Sequence, residues 1–179
     1  MKLIAIAAVS LDGVIGIDDR IPWRIPEDFK HFRDTTMGGV LLVGKTTYLT
    51  LPKKAHEGRE YVVLNGGDAI PDLDINDFQF SSIDTILYLL SSENTTLDKV
   101  FVIGGASIYE QMIDYCDEAI ITFVDKLIPE GNKRFPLMKL LEEFECTNTA
   151  NWETSKTGEQ YKIRYYKRRY GGKGETEAE

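Results

Sequence analysis

Asp28 stands just ahead of two aromatic rings, Phe29 and Phe32, in the stretch Ile21-Pro22-Trp23-Arg24-Ile25-Pro26-Glu27-Asp28-Phe29-Lys30-His31-Phe32. In a partly apolar cleft, such a carboxylate can grip a cationic or amidine-like group through charge-assisted hydrogen bonds. The plainer role for an acid here is to balance a helix dipole, because Pro26 suits a first helical position. Glu27 already serves that purpose, which leaves Asp28 with aromatic neighbours in place of solvent.

Two glycine motifs point to phosphate chemistry. Gly39, four residues, Gly44, Lys45 and Thr46 match the P-loop pattern letter for letter. A P-loop needs its strand before the first glycine and a pliable turn between the two. Here the intervening Val40-Leu41-Leu42-Val43 reads as the strand itself, so a triphosphate-binding loop is disfavoured. The better reading keeps the strand and begins a helix at Lys45. Gly44 then lets a ligand approach the backbone, the helix start offers amides, and Lys45, Thr46 and Thr47 add a charge and hydroxyls. The bland alternative is a simple turn with a solvated lysine.

The second motif, Ile103-Gly104-Gly105-Ala106-Ser107, falls between a strand and a helix, where paired glycines admit a pyrophosphate. Asp125, about twenty residues on, imitates the acid of a Rossmann fingerprint. Ile108 nevertheless occupies the third glycine position, and the unit lies late in the chain. A plain Rossmann dehydrogenase is therefore disfavoured.

These groups need a sheet to position them. Short apolar runs alternate with helical patterns, predicting an α/β fold: a single domain with a central, mostly parallel twisted sheet, an antiparallel C-terminal strand and helices on both faces. Strands are expected at Leu3–Val9, Val40–Val43, Glu60–Leu64, Lys99–Ile103 and Ala119–Val124. Helices are expected at Pro26–Thr36, Lys45–Leu51, Ser82–Leu90 and Ala106–Ile113. Trp152–Thr154 and Tyr161–Lys167 are expected to pair antiparallel. The domain spans 1–170, and the polar, acidic residues 171–179 read as a frayed tail.

Length and composition set the outer bounds. A chain of 179 residues with 42% hydrophobic and 28% charged residues suits one globular domain. The net charge of -8 argues against a nucleic-acid partner. Two cysteines, Cys116 and Cys146, make no disulfide framework and fit a reducing cytosol. No apolar run is long enough for a membrane span, so a cytoplasmic protein is expected. His31 and His56 lack ligand partners at useful spacing, and no metal is expected. Monomer is the default state.

The opening alanine-containing strand, Val14-Ile15-Gly16, Pro22-Trp23 and the helical acid together resemble dihydrofolate reductase. The resemblance continues collinearly through Val43-Gly44-Lys45-Thr46-Thr47, Gly58-Arg59, Val102-Ile103-Gly104-Gly105-Ala106 and Phe135-Pro136, covering about residues 1–168. It implies NADPH-dependent reduction of dihydrofolate to tetrahydrofolate, a step of one-carbon metabolism. By this resemblance, Asp28 binds the pterin ring, Trp23 holds an ordered water near it, and Thr122 is linked to the acid through water. Ile6, Ala7, Phe29, Phe32, Leu51 and Ile103 match apolar walls around the substrate. Arg59 matches the guanidinium that takes the carboxylate of the glutamate tail, assisted by Arg33 and Lys54.

On the cofactor side, the resemblance assigns Ala8 and the Val14-to-Arg20 loop, with Ile15, Gly16 and Arg20, to the nicotinamide. Gly44, Lys45, Thr46, Thr47, Leu64, Asn65 and Gly66 match the adenosine-phosphate end. Gly104, Gly105, Ala106, Ser107, Ile108 and Tyr109 match the pyrophosphate and nicotinamide end, with Ile103 and Tyr109 also near the substrate. No acid near Lys45 is expected to claim a ribose hydroxyl, and the Lys45 ammonium is expected to meet the extra phosphate of NADPH. Three departures stand out. Ser10-Leu11-Asp12-Gly13 resembles the opening of the pyrimidine reductases of riboflavin synthesis, which share this fold and cofactor. Asn132 stands where many bacterial members have an acid supporting the active-site loop. His56-Glu57 replaces a more apolar wall. A riboflavin-pathway reductase and a redox-inactive nucleotide-binding module therefore remain the alternatives.

Overall fold

The computed structural model describes residues 1–92 and 96–169; the tail expected at 171–179 lies outside the described residues. In chain order the elements begin with β1 (Lys2–Ser10), β2 (Val14–Gly16), α1 (Pro26–Thr36), β3 (Val40–Gly44) and α2 (Lys45–Thr50). They continue with β4 (Glu60–Leu64), β5 (Phe78–Phe80), α3 (Ile83–Ser91), β6 (Lys99–Val102), α4 (Ala106–Met112) and β7 (Glu118–Val124). The chain closes with β8 (Lys133–Arg134), α5 (Leu137–Glu143), β9 (Phe144–Thr149), β10 (Glu153–Thr154) and β11 (Gln160–Arg168).

Among the described residues the main sheet runs β10-β11-β7-β1-β6-β3-β4-β5, with β9 also on β11. The strands from β7 across to β5 are mutually parallel. β11 runs antiparallel to β7, and β9 and β10 run antiparallel to β11. This is the mostly parallel α/β domain with an antiparallel C-terminal strand that the sequence predicts. Strands covered on both faces read as continuous apolar runs, and β3 is the clearest case. Val40 and Leu42 pack into one core, while Leu41 and Val43 pack into the other. Full burial of each such side chain contributes about 1.5–3 kcal/mol.

The P-loop alternative fails on this geometry, since residues 40–43 are buried strand. Several elements go beyond the sequence reading: β2, β5, β8, α5 and β9 were not expected. Other boundaries move by a residue or two. α2 stops at Thr50, and α4 at Met112 before a 3-10 turn at Ile113–Tyr115.

Ser10-Leu11-Asp12-Gly13, the feature shared with pyrimidine reductases, has a structural role here. The buried Ser10 hydroxyl accepts from Val14 N at 2.9 Å and donates to Asp12 at 2.5 Å. That bond is the main reason the Asp12 carboxyl lies below the ordinary carboxylate range. Asp12 in turn accepts the amide of Ile128. The motif thus closes the turn after β1 and ties it to the loop beyond β7.

Candidate active site

The carboxyl ends of β1, β3 and β4, the residues that follow β6, and the sides of α1, α2 and α4 enclose one cleft of about 1500 Å³. In open α/β sheets ligands bind outside these strand ends, where neighbouring crossovers diverge. The volume exceeds that of one drug-sized ligand site and suits two flat ligands side by side.

Asp28 reaches the cleft from the first turn of α1, where Pro26 begins the helix. Below it, strand alternation decides which β7 side chains face the helix. Ile121 and Phe123 enter the opposite core, so Ile120 and Thr122 face α1. Thr122 lies opposite Ala8 of β1. Its hydroxyl donates directly to Asp28 Oδ1 at 2.5 Å, where the resemblance implies an intervening water. Burial pushes the Asp28 carboxyl above its ordinary range, opposed by the Thr122 hydrogen bond and by His31. A recessed carboxylate with one oxygen held by a hydroxyl has its other oxygen available for a donor on a ligand.

Glu27, the dipole-balancing acid, has a further task. It accepts from the Ser155 hydroxyl at 2.6 Å and the Lys156 amide at 3.0 Å, fixing the start of α1 to the β10–β11 turn. Ile6, Ala7, Phe29, Phe32 and Leu51 line the cleft beside Asp28, as does Ile103. Trp23 does not; it packs on the small core of Ile25, Val124 and Tyr161.

The opposite half of the cleft is built from two helix starts. Neither Gly44 before α2 nor Gly105 before α4 carries a side-chain cap, so no side chain competes for the amides that open each helix; in α4 the Ile108 amide already turns back to the Gly105 carbonyl at 3.0 Å. The glycines are required for contact. A Cβ on Gly44 would lie 3.1 Å from Ile108, and one on Gly105 would lie 3.1 Å from Thr47 Oγ1. Gly104 has φ +101, and its Cβ would come within 2.7 Å of the Tyr109 ring. Tyr109 is buried, donating its hydroxyl to Ile6 O at 2.6 Å. It thereby braces the β1 strand end that carries Ala7 and Ala8. Ala8, Ile15, Gly16 and Arg20 line the cleft, as do Thr46, Thr47, Leu64, Asn65 and Gly66. So do Gly105, Ala106, Ser107, Ile108 and Tyr109, whereas Gly104 stands behind Tyr109.

An acid does stand beside Lys45, where none near enough to claim a ribose hydroxyl was expected. Lys45 Nζ donates to the Asp68 carbonyl at 3.0 Å and lies 3.9 Å from the Asp68 carboxylate. The two residues are 23 apart in sequence. A turn with left-handed Gly66 and Gly67, at φ +64 and +97, folds the acid back.

Arg59 also departs from its expected place. It is buried and is not among the cleft-lining residues. Nε donates to Thr36 Oγ1, Nη1 to the carbonyls of Ala55 and Glu57, and Nη2 to the carbonyl of Arg33. Four of the guanidinium's five N–H groups are thus committed to the protein. Arg33 and Lys54 line the cleft at this end, together with Lys53. The His56 ring packs against Tyr48 and Tyr61, outside that lining.

Asn132 does support the loop between β2 and α1. Its Oδ1 accepts from Asp18 N at 2.8 Å, while its Nδ2 donates to Asp18 Oδ1 at 2.7 Å. The amide complements an acid at position 18, with which a carboxylate would clash. Asn132→Asp is therefore expected to replace an attraction by a repulsion and release the loop. Turnover should fall by roughly five- to thirtyfold, since a hydrogen bond and like-charge contact of this kind is worth about 1–2 kcal/mol. Asp18→Asn in the same chain should restore much of the rate. Steady-state kinetics on the single and double variants checks this, and an unchanged single variant would remove the latch from loop closure.

Among the described residues, no three or more His, Cys, Asp or Glu side chains are grouped to hold a metal ion. No described helix is long and apolar enough to cross a membrane.

The family model described as "Dihydrofolate reductase" matches residues 2–168. A dihydrofolate reductase of Mycobacterium tuberculosis is 33% identical over 165 residues, covering 90% of this chain and 94% of that protein. Dihydrofolate reductase type 9 of Escherichia coli is 37% identical over 124 residues, covering 66% and 68%. The dihydrofolate reductase of Mycoplasma genitalium is 34% identical over 125 residues, covering 69% and 77%. A match that spans the cleft and every strand of the sheet leaves one assignment: the chain belongs to the dihydrofolate reductase family.

Proposed function

We propose NADPH as the reductant with which this oxidoreductase converts 7,8-dihydrofolate to 5,6,7,8-tetrahydrofolate. Family membership carries the reaction, and the observation that best supports the substrate half is the recessed Asp28 carboxylate held by Thr122. Two cleft features test the fit of a dinucleotide. Gly44 and Gly105 line the cleft and let the two helix starts pack closely, a Cβ on either coming within 3.1 Å of Ile108 or Thr47 of the other helix, and those helix starts carry no side-chain caps. Both suit a pyrophosphate and a nicotinamide.

Bound NADPH supplies the hydride; the protein's work is positional. Asp28 accepts from the ring N–H and the amino group of the pterin edge, polarising it without donating a proton to the distant ring nitrogen. Thr122 fixes the carboxylate's rotamer. Phe29, Phe32 and Ile103 confine the ring, while Tyr109, through Ile6 O, fixes the β1 strand end whose Ala7 and Ala8 would hold the nicotinamide. Arg33 and Lys54 are the cations proposed to meet the glutamate tail, with Arg59 bracing that end. The Val14-to-Arg24 loop, latched by Asn132, excludes bulk water. A monomer acting in the cytoplasm, with one domain spanning 1–170, completes the proposal.

Lys45, Thr46, Thr47 and Asn65 are proposed to hold the adenosine end, with Lys45 reading the 2′-phosphate. Lys45→Ala is then expected to raise the KM for NADPH near tenfold, about 1–2 kcal/mol for a partly exposed phosphate contact. The KM for NADH should remain nearly unchanged, and salt should erode the wild-type preference. Initial rates with each cofactor at two salt concentrations test this. A parallel response of the two cofactors would show that Lys45 does not read the phosphate.

A further inference from the structure

The adenosine end of the cleft carries one feature that the reaction does not require. Among the cleft-lining residues within 44–47, 64–68 and 81–83, Lys45 is the one cation and Asp68 the one acid. They face each other, with the carboxylate 3.9 Å from Nζ. The acid's backbone is fixed at that place. Asp68 N donates to Asn65 O at 3.2 Å, and Gly67 N donates to Asn65 Oδ1 at 2.9 Å. Asn65 is itself bound to β5, through its amide to Phe80 O at 2.9 Å and its side chain to Gln79 at 2.8 Å. The turn therefore fixes the acid's backbone beside the cation, while its carboxylate is largely exposed.

An acid in that position acts on two cofactors in opposite ways. Toward a 2′-phosphate it is repulsive, and it draws part of the Lys45 charge to itself. Toward an unphosphorylated ribose it offers an acceptor for a hydroxyl, the role acids play where a dinucleotide lacks the phosphate. We infer that Asp68 is a specificity-determining residue that narrows the preference for a 2′-phosphorylated over a 2′-hydroxyl dinucleotide, so that the enzyme accepts NADH alongside NADPH. This rests on the reading of Lys45 as the phosphate contact.

The test uses the full chain and two small probes, adenosine 2′,5′-bisphosphate and 5′-AMP, with calorimetric binding to wild type, Asp68→Asn, Lys45→Ala and the double variant. Asp68→Asn is expected to bind the bisphosphate about three- to tenfold more tightly, and 5′-AMP equally or less tightly. The ratio of kcat/KM for NADPH over NADH should rise by a similar factor, and added salt should shrink the gain. In the Lys45→Ala background the gain from Asp68→Asn should be smaller, because the acid no longer has a cation to neutralise. Thermal unfolding of each variant controls for the fold.

Two failures are distinguishable. If Lys45→Ala weakens the bisphosphate but Asp68→Asn leaves both probes within about twofold of wild type, the inference about Asp68 falls and the phosphate reading of Lys45 stands. If Lys45→Ala leaves bisphosphate binding unchanged, the parent reading falls and takes this inference with it.

Discussion

Replacing Asp28 by asparagine is expected to lower turnover of dihydrofolate by roughly 10²–10⁴-fold, the usual effect of losing a positioned acid, while the free protein becomes no less stable at neutral pH. The two halves of this result have one cause. Thr122 holds the carboxylate below the α1 helix start, where burial opposes its charge. Without ligand that charge is a liability; against the donor-rich ring edge of the proposed substrate it would make a charge-assisted contact. Asparagine keeps an oxygen for Thr122 but offers a ligand only a neutral contact. The sign of the pH effect follows. Because the folded-state pKa of Asp28 is raised, its stabilising contribution is complete below the ordinary carboxylate value and is lost as pH rises through the raised one. Wild type should therefore lose stability relative to Asp28→Asn across that window. The two should converge at lower pH, where the carboxyl is neutral in both states. Denaturant melts across the acid range, paired with turnover at neutral pH, test both parts. Near-wild-type turnover would remove Asp28 from the mechanism.

Arg59→Ala is expected to destabilise the fold by about 2–4 kcal/mol, since it strips partners from a hydroxyl and three carbonyls at once. For a chain of this size that corresponds to a fall in Tm of roughly 5–15 °C. The guanidinium joins the C-terminal half of α1, through Thr36 and the Arg33 carbonyl, to the 3-10 turn at Lys53–Ala55 and to Glu57. Those segments carry Arg33 and Lys54 into the cleft. Ligands with a glutamate tail should thus weaken in the variant, and small pterin-like inhibitors should be largely spared. Both readouts are needed. A Tm equal to wild type would contradict the brace, and equal weakening of both ligand types would separate Arg59 from the tail end.

The central sheet was legible because buried parallel strands announce themselves. Val40-Leu41-Leu42-Val43 is apolar on both faces, and the same run argued against the P-loop. Elements at the sheet's margins gave no such signal. Phe144–Thr149 leaves five of six residues exposed, and its pairing with β11 is set by what lies beside it. Phe78–Phe80 is three residues long and is defined by β4. Asp28 and the glycine-bearing helix starts could be found from local chemistry, because acid, aromatic and glycine positions are informative within a few residues. Thr122 could not. It lies 94 residues from Asp28, in a strand where only the known topology reveals which face it occupies. The Asp68 contact to Lys45 and the committed N–H groups of Arg59 were hidden for the same reason. Each depends on a backbone turn that brings distant polar groups together.

The most direct test of the account is the rate of NADPH oxidation by the purified chain with 7,8-dihydrofolate, compared with the ribosylamino-pyrimidine substrate of the riboflavin-pathway reductases. Rapid oxidation with dihydrofolate is expected, with tetrahydrofolate as product, collapse of the rate in Asp28→Asn, and little oxidation with the pyrimidine, as a dihydrofolate reductase site requires. Preference for the pyrimidine, or no oxidation with either substrate, would contradict it.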